Sequence, residues 1–173
     1  MNPLVARLLQ RRSCRNFTFD QVSDDDVHDL LKAAMSAPSA GCSDPWHFVV
    51  VRNPGMLVSL AGVLPRGSFL ADAGMGIVVC GDKERAHGRQ EAYLVMDCSA
   101  AMENLLLAAT FLGLGSCWLG VHPRRDRVAA VRQLLALPQT ILPVGIAAIG
   151  TVVGDRPRPR TRFRDSAVHF EQW

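Results

Sequence analysis

No two cysteines in this chain stand at C-x-x-C spacing: Cys14, Cys42, Cys80, Cys98 and Cys117 are scattered and odd in number. That distribution argues against a zinc site and a disulfide framework and fits a reducing cytoplasm, so no metal is expected. Glycine-rich phosphate motifs are missing as well. The polar loop Gly81–Gly88 lacks the G-K-[ST] ending of a P-loop, and there is no Rossmann G-x-G-x-x-G. Uncharged apolar runs of membrane-spanning length are absent. The most apolar window, residues 96–119, contains Asp97, Glu103 and Asn104, each expensive in a bilayer, and the N-terminus has no apolar signal-type core before a small-residue cleavage site. None of the five histidines, and neither Cys42 nor Cys117, has partners spaced as a nucleophilic triad, so no catalytic side chain is named. With no internal repeat and no convincing linker, residues 1–173 read as one domain, and residues 156–173 as its extended C-terminal arm.

What is present is a soluble globular composition, 49% hydrophobic and 20% charged, with a net charge of +3. The arginine excess falls in two clusters, residues 7–15 and 156–164, which suit an anionic small molecule as well as they suit nucleic acid. Asn2 and Pro3 start a short helix that delivers Arg11-Arg12-Ser13-Cys14-Arg15, a set of guanidinium forks and one hydroxyl fit for a phosphate or the polar edge of a planar ligand. Taken alone, the same run also reads as a solvated basic surface. Ser23 caps a second helix, and Asp24, Asp25 and Asp26 sit against its positive end, which explains them as capping groups. Pro38 ends that helix. Ser39, Ala40 and Gly41 then leave backbone amides uncovered, and Pro45-Trp46 opens an apolar strand.

A short helix follows Asn53-Pro54, then a strand at residues 76–80. Residues 91–112 make a long helix that is apolar nearly all round, hence central or at a subunit interface. Its Asp97, Glu103 and Asn104 need hydrogen-bonding partners. A strand at residues 116–121, a helix through Leu135 and a last strand over residues 142–153 complete an α+β chain of three layers, in which helices flank a mixed, mainly antiparallel sheet of about four strands.

Four segments in this order resemble the flavin-dependent nitroreductase family: R-R-S-C-R at 11–15, A-P-S-A-G-C-S-D-P-W at 37–46, G-L-G-S-C-W-L-G at 113–120, and the arginine arm near 160. The closing V-H-F-E-Q-W is similar to the tail of the compact members. The resemblance implies a homodimer binding FMN at its interface, with NADH or NADPH as a transient electron donor and a nitroaromatic or quinone as acceptor. It implies that Arg11, Arg12, Ser13 and Arg15 hold the FMN phosphate and ring edges, and that Pro38, Ser39, Ala40 and Gly41 flank the flavin from the other subunit. By the same likeness Leu119 and Gly120 lie next to the reactive ring nitrogen, and Arg160 and Arg162 clamp the phosphate, Arg162 being the better placed. A nicotinamide bound only transiently over a flavin would need no Rossmann motif.

The chain departs from the family pattern at Cys42 and Asp44, where amides are common, and at Glu103, where glutamine is. A flavin-binding redox sensor or store without efficient turnover is the alternative function. A nucleic-acid arm at residues 156–164 is disfavoured, because aromatic residues there are sparse and the rest of the chain is not basic. Neither nucleic acid nor membrane is expected as a partner.

Overall fold

Side-chain caps set the starts of three helices. In the computed structural model, which describes residues 1–155, 157 and 162–173, Asn2 Oδ1 accepts from the Leu4 N–H at 2.8 Å and opens α1 (Pro3–Leu8). Ser23 Oγ accepts from the Asp26 N–H at 3.1 Å and opens α2 (Asp24–Met35). Asn53 Oδ1 accepts from the Met56 N–H at 3.0 Å and opens α3 (Pro54–Gly62). Proline occupies the first turn of α1 and α3, where its missing N–H costs no helical bond. The three aspartates of α2 lie in its first turn, as their reading as capping groups requires.

The remaining elements are β1 (Trp46–Val51), β2 (Met75–Asp82), α4 (Glu91–Phe111), β3 (Gly115–Gly120), α5 (Arg125–Leu134) and β4 (Ile141–Gly150). Their order is the one expected from the sequence, with boundaries displaced by a few residues. The last strand is the most displaced, stopping at Gly150 rather than Val153.

The strands form one sheet in the order β1-β2-β4-β3, and every neighbouring pair is antiparallel. Among the described residues the parallel component is confined to an isolated bridge between Ser13 and Ser116. α2 and α4 cover one face around Leu30, Leu94, Cys98 and Leu105. α3 and α5 cover the other around Leu57, Leu60 and Val131. β2, central and covered on both faces, is buried from Met75 to Gly81, which is why it reads as a continuous apolar run.

By length and composition α4 could cross a membrane. Here it is the core helix, burying Leu94, Cys98, Ala101, Met102, Leu105, Leu106 and Ala109. It approaches β2 closely at Gly81, where a Cβ would stand 2.4 Å from Leu94 Cδ2. The three polar residues singled out in its sequence, Asp97, Glu103 and Asn104, all find partners. Asp97 Oδ1 accepts from the Ala40 N–H at 2.9 Å, Asn104 Nδ2 donates to the Ala33 carbonyl at 3.1 Å, and Glu103 Oε1 lies 3.5 Å from Arg11 Nε. α1, in contrast, buries none of its residues.

Candidate functional site

The first half of the candidate site is built along β3, an edge strand. The chain leaving α1 runs beside the start of β3, where the Cys14 N–H donates to the Ser116 carbonyl at 2.9 Å. Arg11 turns towards Glu103, and the Arg15 guanidinium lies 5.8 Å from the centre of the Phe69 ring. Arg12 Nε and Ser116 Oγ are both buried without a hydrogen-bond partner among the described residues. Burial raises the pKa of the Cys117 thiol, while the charges of Arg15 and Arg11 and a hydrogen bond with Ser13 oppose that rise. Arg11, Ser13 and Arg15 therefore surround the same strand end. A buried guanidinium N–H and a buried hydroxyl left without partners in adjoining segments are donors open to an anion, because buried donors are seldom left unpaired.

Strand alternation puts Ser116, Trp118 and Gly120 on one side of β3. Trp118 and Gly120 are exposed on that side, whereas Leu119 is buried on the other. A Cβ at Gly120 would meet nothing within 4 Å. Its carbonyl accepts from Arg127 Nη1 at 2.9 Å, which fixes the strand end. From Ser116 to Gly120 the strand advances roughly 13 Å, so the donor cluster and the open end are separated by about the length of an extended nucleotide-sized ligand.

The second half is the loop after α2. Ser39 Oγ donates to Asp44 Oδ1 at 2.5 Å and accepts from the Asp44 N–H at 3.0 Å. The Asp44 carboxylate therefore closes the loop on itself. Gly41, Cys42 and Asp44 all have left-handed φ, at 60°, 52° and 44°, a region that favours glycine. The imidazole of His87 lies against Gly41, where a Cβ would stand 2.7 Å from Nδ1, and packs edge-on to Tyr93 with ring centres 5.2 Å apart. Asp97 holds the loop from below through Ala40, and its Oδ2 is buried with no partner among the described residues.

These halves do not meet within one chain. Pro38–Gly41 leads into β1 at one edge of the sheet, while Arg11–Arg15 lies along β3 at the other, and three strand spacings amount to roughly 14 Å. Arg162 is exposed, and Arg160 lies outside the described residues. Sequence reasoning did not single out Ser116, Trp118 or Arg127. Alternation within S-C-W-L-G could have picked out the first two, whereas nothing in the sequence pairs Arg127 with the Gly120 carbonyl.

The cysteines give a direct check on the loop. Cys42 is exposed and the other four are buried. Burial pushes the Cys80 and Cys98 thiols up to about 12, so they stay protonated and unreactive at neutral pH. A thiol titration is expected to modify Cys42 alone in the native protein and all five cysteines after denaturation; rapid native labelling of Cys80 or Cys98 would contradict this packing.

Comparison with known proteins bears on the same regions. The model of the nitroreductase family matches residues 8–64 and 55–151. A protein of Archaeoglobus fulgidus, provisionally named NADH dehydrogenase/NAD(P)H nitroreductase, is 41% identical over the whole of both chains. A crystal structure of a Bacteroides thetaiotaomicron protein, provisionally given the same name, superimposes with a TM-score of 0.93 at 35% identity, covering 100% of this chain and 99% of the other. A Desulfovibrio desulfuricans protein, provisionally called a nitroreductase and solved in complex with FMN, gives a TM-score of 0.84 at 30% identity over 100% and 99% of the two chains.

Proposed function

This chain belongs to the nitroreductase family, and from that premise we propose that it is an FMN-dependent oxidoreductase, taking hydride from NADH or NADPH and passing it to an electron-poor acceptor such as a nitroaromatic or a quinone. The observation that carries this reading is that the arginine-rich segment bridges to the start of an edge strand at Ser13 and Ser116, with Arg12 Nε and Ser116 Oγ each buried and unpartnered, while the strand's other end is open at Gly120. A phosphate dianion supplies the acceptors those donors lack. Arg11, Ser13 and Arg15 would complete the cluster, with Arg162 added from the C-terminal arm; Arg160, outside the described residues, is proposed for the same role by the family resemblance. The backbone at Leu119 and Gly120 would hold the ring, and the glycine leaves room for a flat ligand.

Bound FMN supplies reversible two-electron hydride acceptance, and the protein supplies orientation and electrostatics. Since Pro38, Ser39, Ala40 and Gly41 stand at the far sheet edge, they flank the flavin of a second copy, and the working unit is a homodimer. The FMN in the Desulfovibrio structure and the name of the Archaeoglobus relative support the reading. The five free thiols support a cytoplasmic location.

The test is the absorption spectrum of the purified protein with and without added FMN, for wild type and for Arg12→Ala, followed by NAD(P)H oxidation with an added quinone. Wild type is expected to bind FMN and turn over. Losing one charge-assisted contact, worth about 1.5–3 kcal/mol, should weaken FMN binding roughly 10- to 100-fold in the variant. A protein that ignores FMN refutes the flavin reading, and one that binds FMN without oxidising NAD(P)H is a store or sensor instead.

A further inference from the structure

One cavity of about 540 Å³ is not accounted for by the flavin reading. It lies between the first turn of α4 and α5, at the end of the sheet where β2 and β3 finish and β4 begins, and its wall includes Lys83, Glu91, His122, Arg125, Arg132 and Leu142. Three permanent cations therefore face one carboxylate. Glu91 is already shared, lying 3.9 Å from Lys83 Nζ and 3.8 Å from His122 Nε2. Neither distance is that of a tight ion pair.

Arg125 and Arg132 have no carboxylate partner among the described ion pairs. Arg132 Nη2 donates to the Ile141 carbonyl at 3.0 Å, which anchors the side chain in the wall, while its Nε is buried and unpartnered. α5 opens without a side-chain cap, so its first amides add to the positive potential on which Arg125 sits. Arg124, which could have added further charge, is engaged by Asp126 at 3.4 Å.

A concave surface with two guanidinium groups that lack a carboxylate partner, one of them with a buried unpaired Nε–H, beside an ammonium and an imidazole that share the single carboxylate of Glu91, is built for a compact dianion. We propose that this cavity is a binding site for a phosphate monoester group. Lys83 and Arg125 approach from the rim, and Arg132 stands at the back. His122 follows Gly120 by only two residues, so two sources fit the chemistry: the 2′-phosphate of an NADPH donor whose nicotinamide lies at Gly120, and a separate phosphorylated small molecule. The site itself rests on the cavity and its charges. Assignment to the donor rests on the proposed function.

The probe is inorganic phosphate, titrated into the protein in the presence of excess FMN while the His122 imidazole resonance is followed by NMR, with His122→Gln used to assign the signal. A saturable shift is expected in wild type. The phosphate dissociation constant should rise at least tenfold in the Lys83→Ala/Arg125→Ala double variant. Arg125→Glu provides a second variant whose folding is not at issue, since a carboxylate suits the first turn of a helix; it should abolish the shift.

Absence of a saturable shift in wild type, or equal affinity in wild type and both variants, overturns the proposal. Where phosphate binding is lost as expected, a raised KM for NADPH with an unchanged KM for NADH identifies the donor as the source of the phosphate. Two unchanged KM values identify a separate ligand. The readout sits at His122, so a protein that fails to hold FMN fails its spectral test without altering this one.

Discussion

Replacing Asp97 with leucine is expected to lower both stability and FMN affinity, whereas Asp97→Asn should preserve both. Leucine keeps the branching of aspartate but removes its acceptors and adds bulk, so the near-isosteric asparagine variant serves as the control for packing. In the wild type Asp97, buried to 5% exposure, reaches across from α4 to the Ala40 N–H at 2.9 Å. With leucine that N–H loses its partner at a cost of about 1–3 kcal/mol. The loss falls on a loop already held at left-handed φ at Gly41, Cys42 and Asp44, so the strained conformation loses a main support. Asparagine keeps an acceptor at the Oδ1 position and adds an N–H₂ where Oδ2 is now unpaired.

The measurements are the urea midpoint and the quenching of FMN fluorescence, with a flavin dissociation constant expected to rise about tenfold or more for leucine and to stay within about threefold of wild type for asparagine. A leucine variant that binds flavin as tightly as wild type would separate this loop from the flavin site.

The contrast between Asp97 and Asp44 marks how far the site could be read from the sequence. An acid in an apolar helix signals a buried partner, since a lone charge is costly there, and Asp97, Glu103 and Asn104 all have one. Asp44 stood out as a departure from the family pattern. In the structure its hydrogen bonds with Ser39 close the loop, a local geometry that residue identity does not encode. Elements were legible because capping residues and prolines punctuate them: Asn2-Pro3, Ser23 and Asn53-Pro54 each start a helix in the structure.

Sheet order was not legible in the same way. β4 inserts between β2 and β3, a long-range choice that apolar strands of similar composition leave open. That insertion puts Arg11–Arg15 and Pro38–Gly41 on opposite edges. The pocket formed by Lys83, His122, Arg125 and Arg132 was hidden for the same reason, because its cations lie in three separate segments that meet only at one end of the sheet.

In the flavin-loaded homodimer proposed above, Leu8→Asp is expected to leave a folded monomer that binds FMN poorly. α1 has six residues and buries none of them, and so short a helix gains little from its own hydrogen bonds and needs packing to persist. Its Leu4, Val5 and Leu8 are exposed and, together with Arg7, line a mainly apolar concavity closed by Phe111 from the end of α4. Two copies placed face to face would cover that surface, as the proposed homodimer requires.

An aspartate at position 8 would bury an unpaired charge in such an interface, costing several kcal/mol, so dimer dissociation should strengthen by about 100-fold or more. The fold itself should tolerate the change, because Leu8 contributes nothing to either core cluster. Sedimentation is expected to give twice the 18.9 kDa of one chain for wild type and a single chain for the variant. Flavin should be lost in proportion to the dimer, with the circular dichroism of the folded chain retained. Were the variant to remain a dimer, α1 would not be the interface; were it a monomer with full FMN affinity, both halves of the site would have to come from one chain, against the sheet order that separates them.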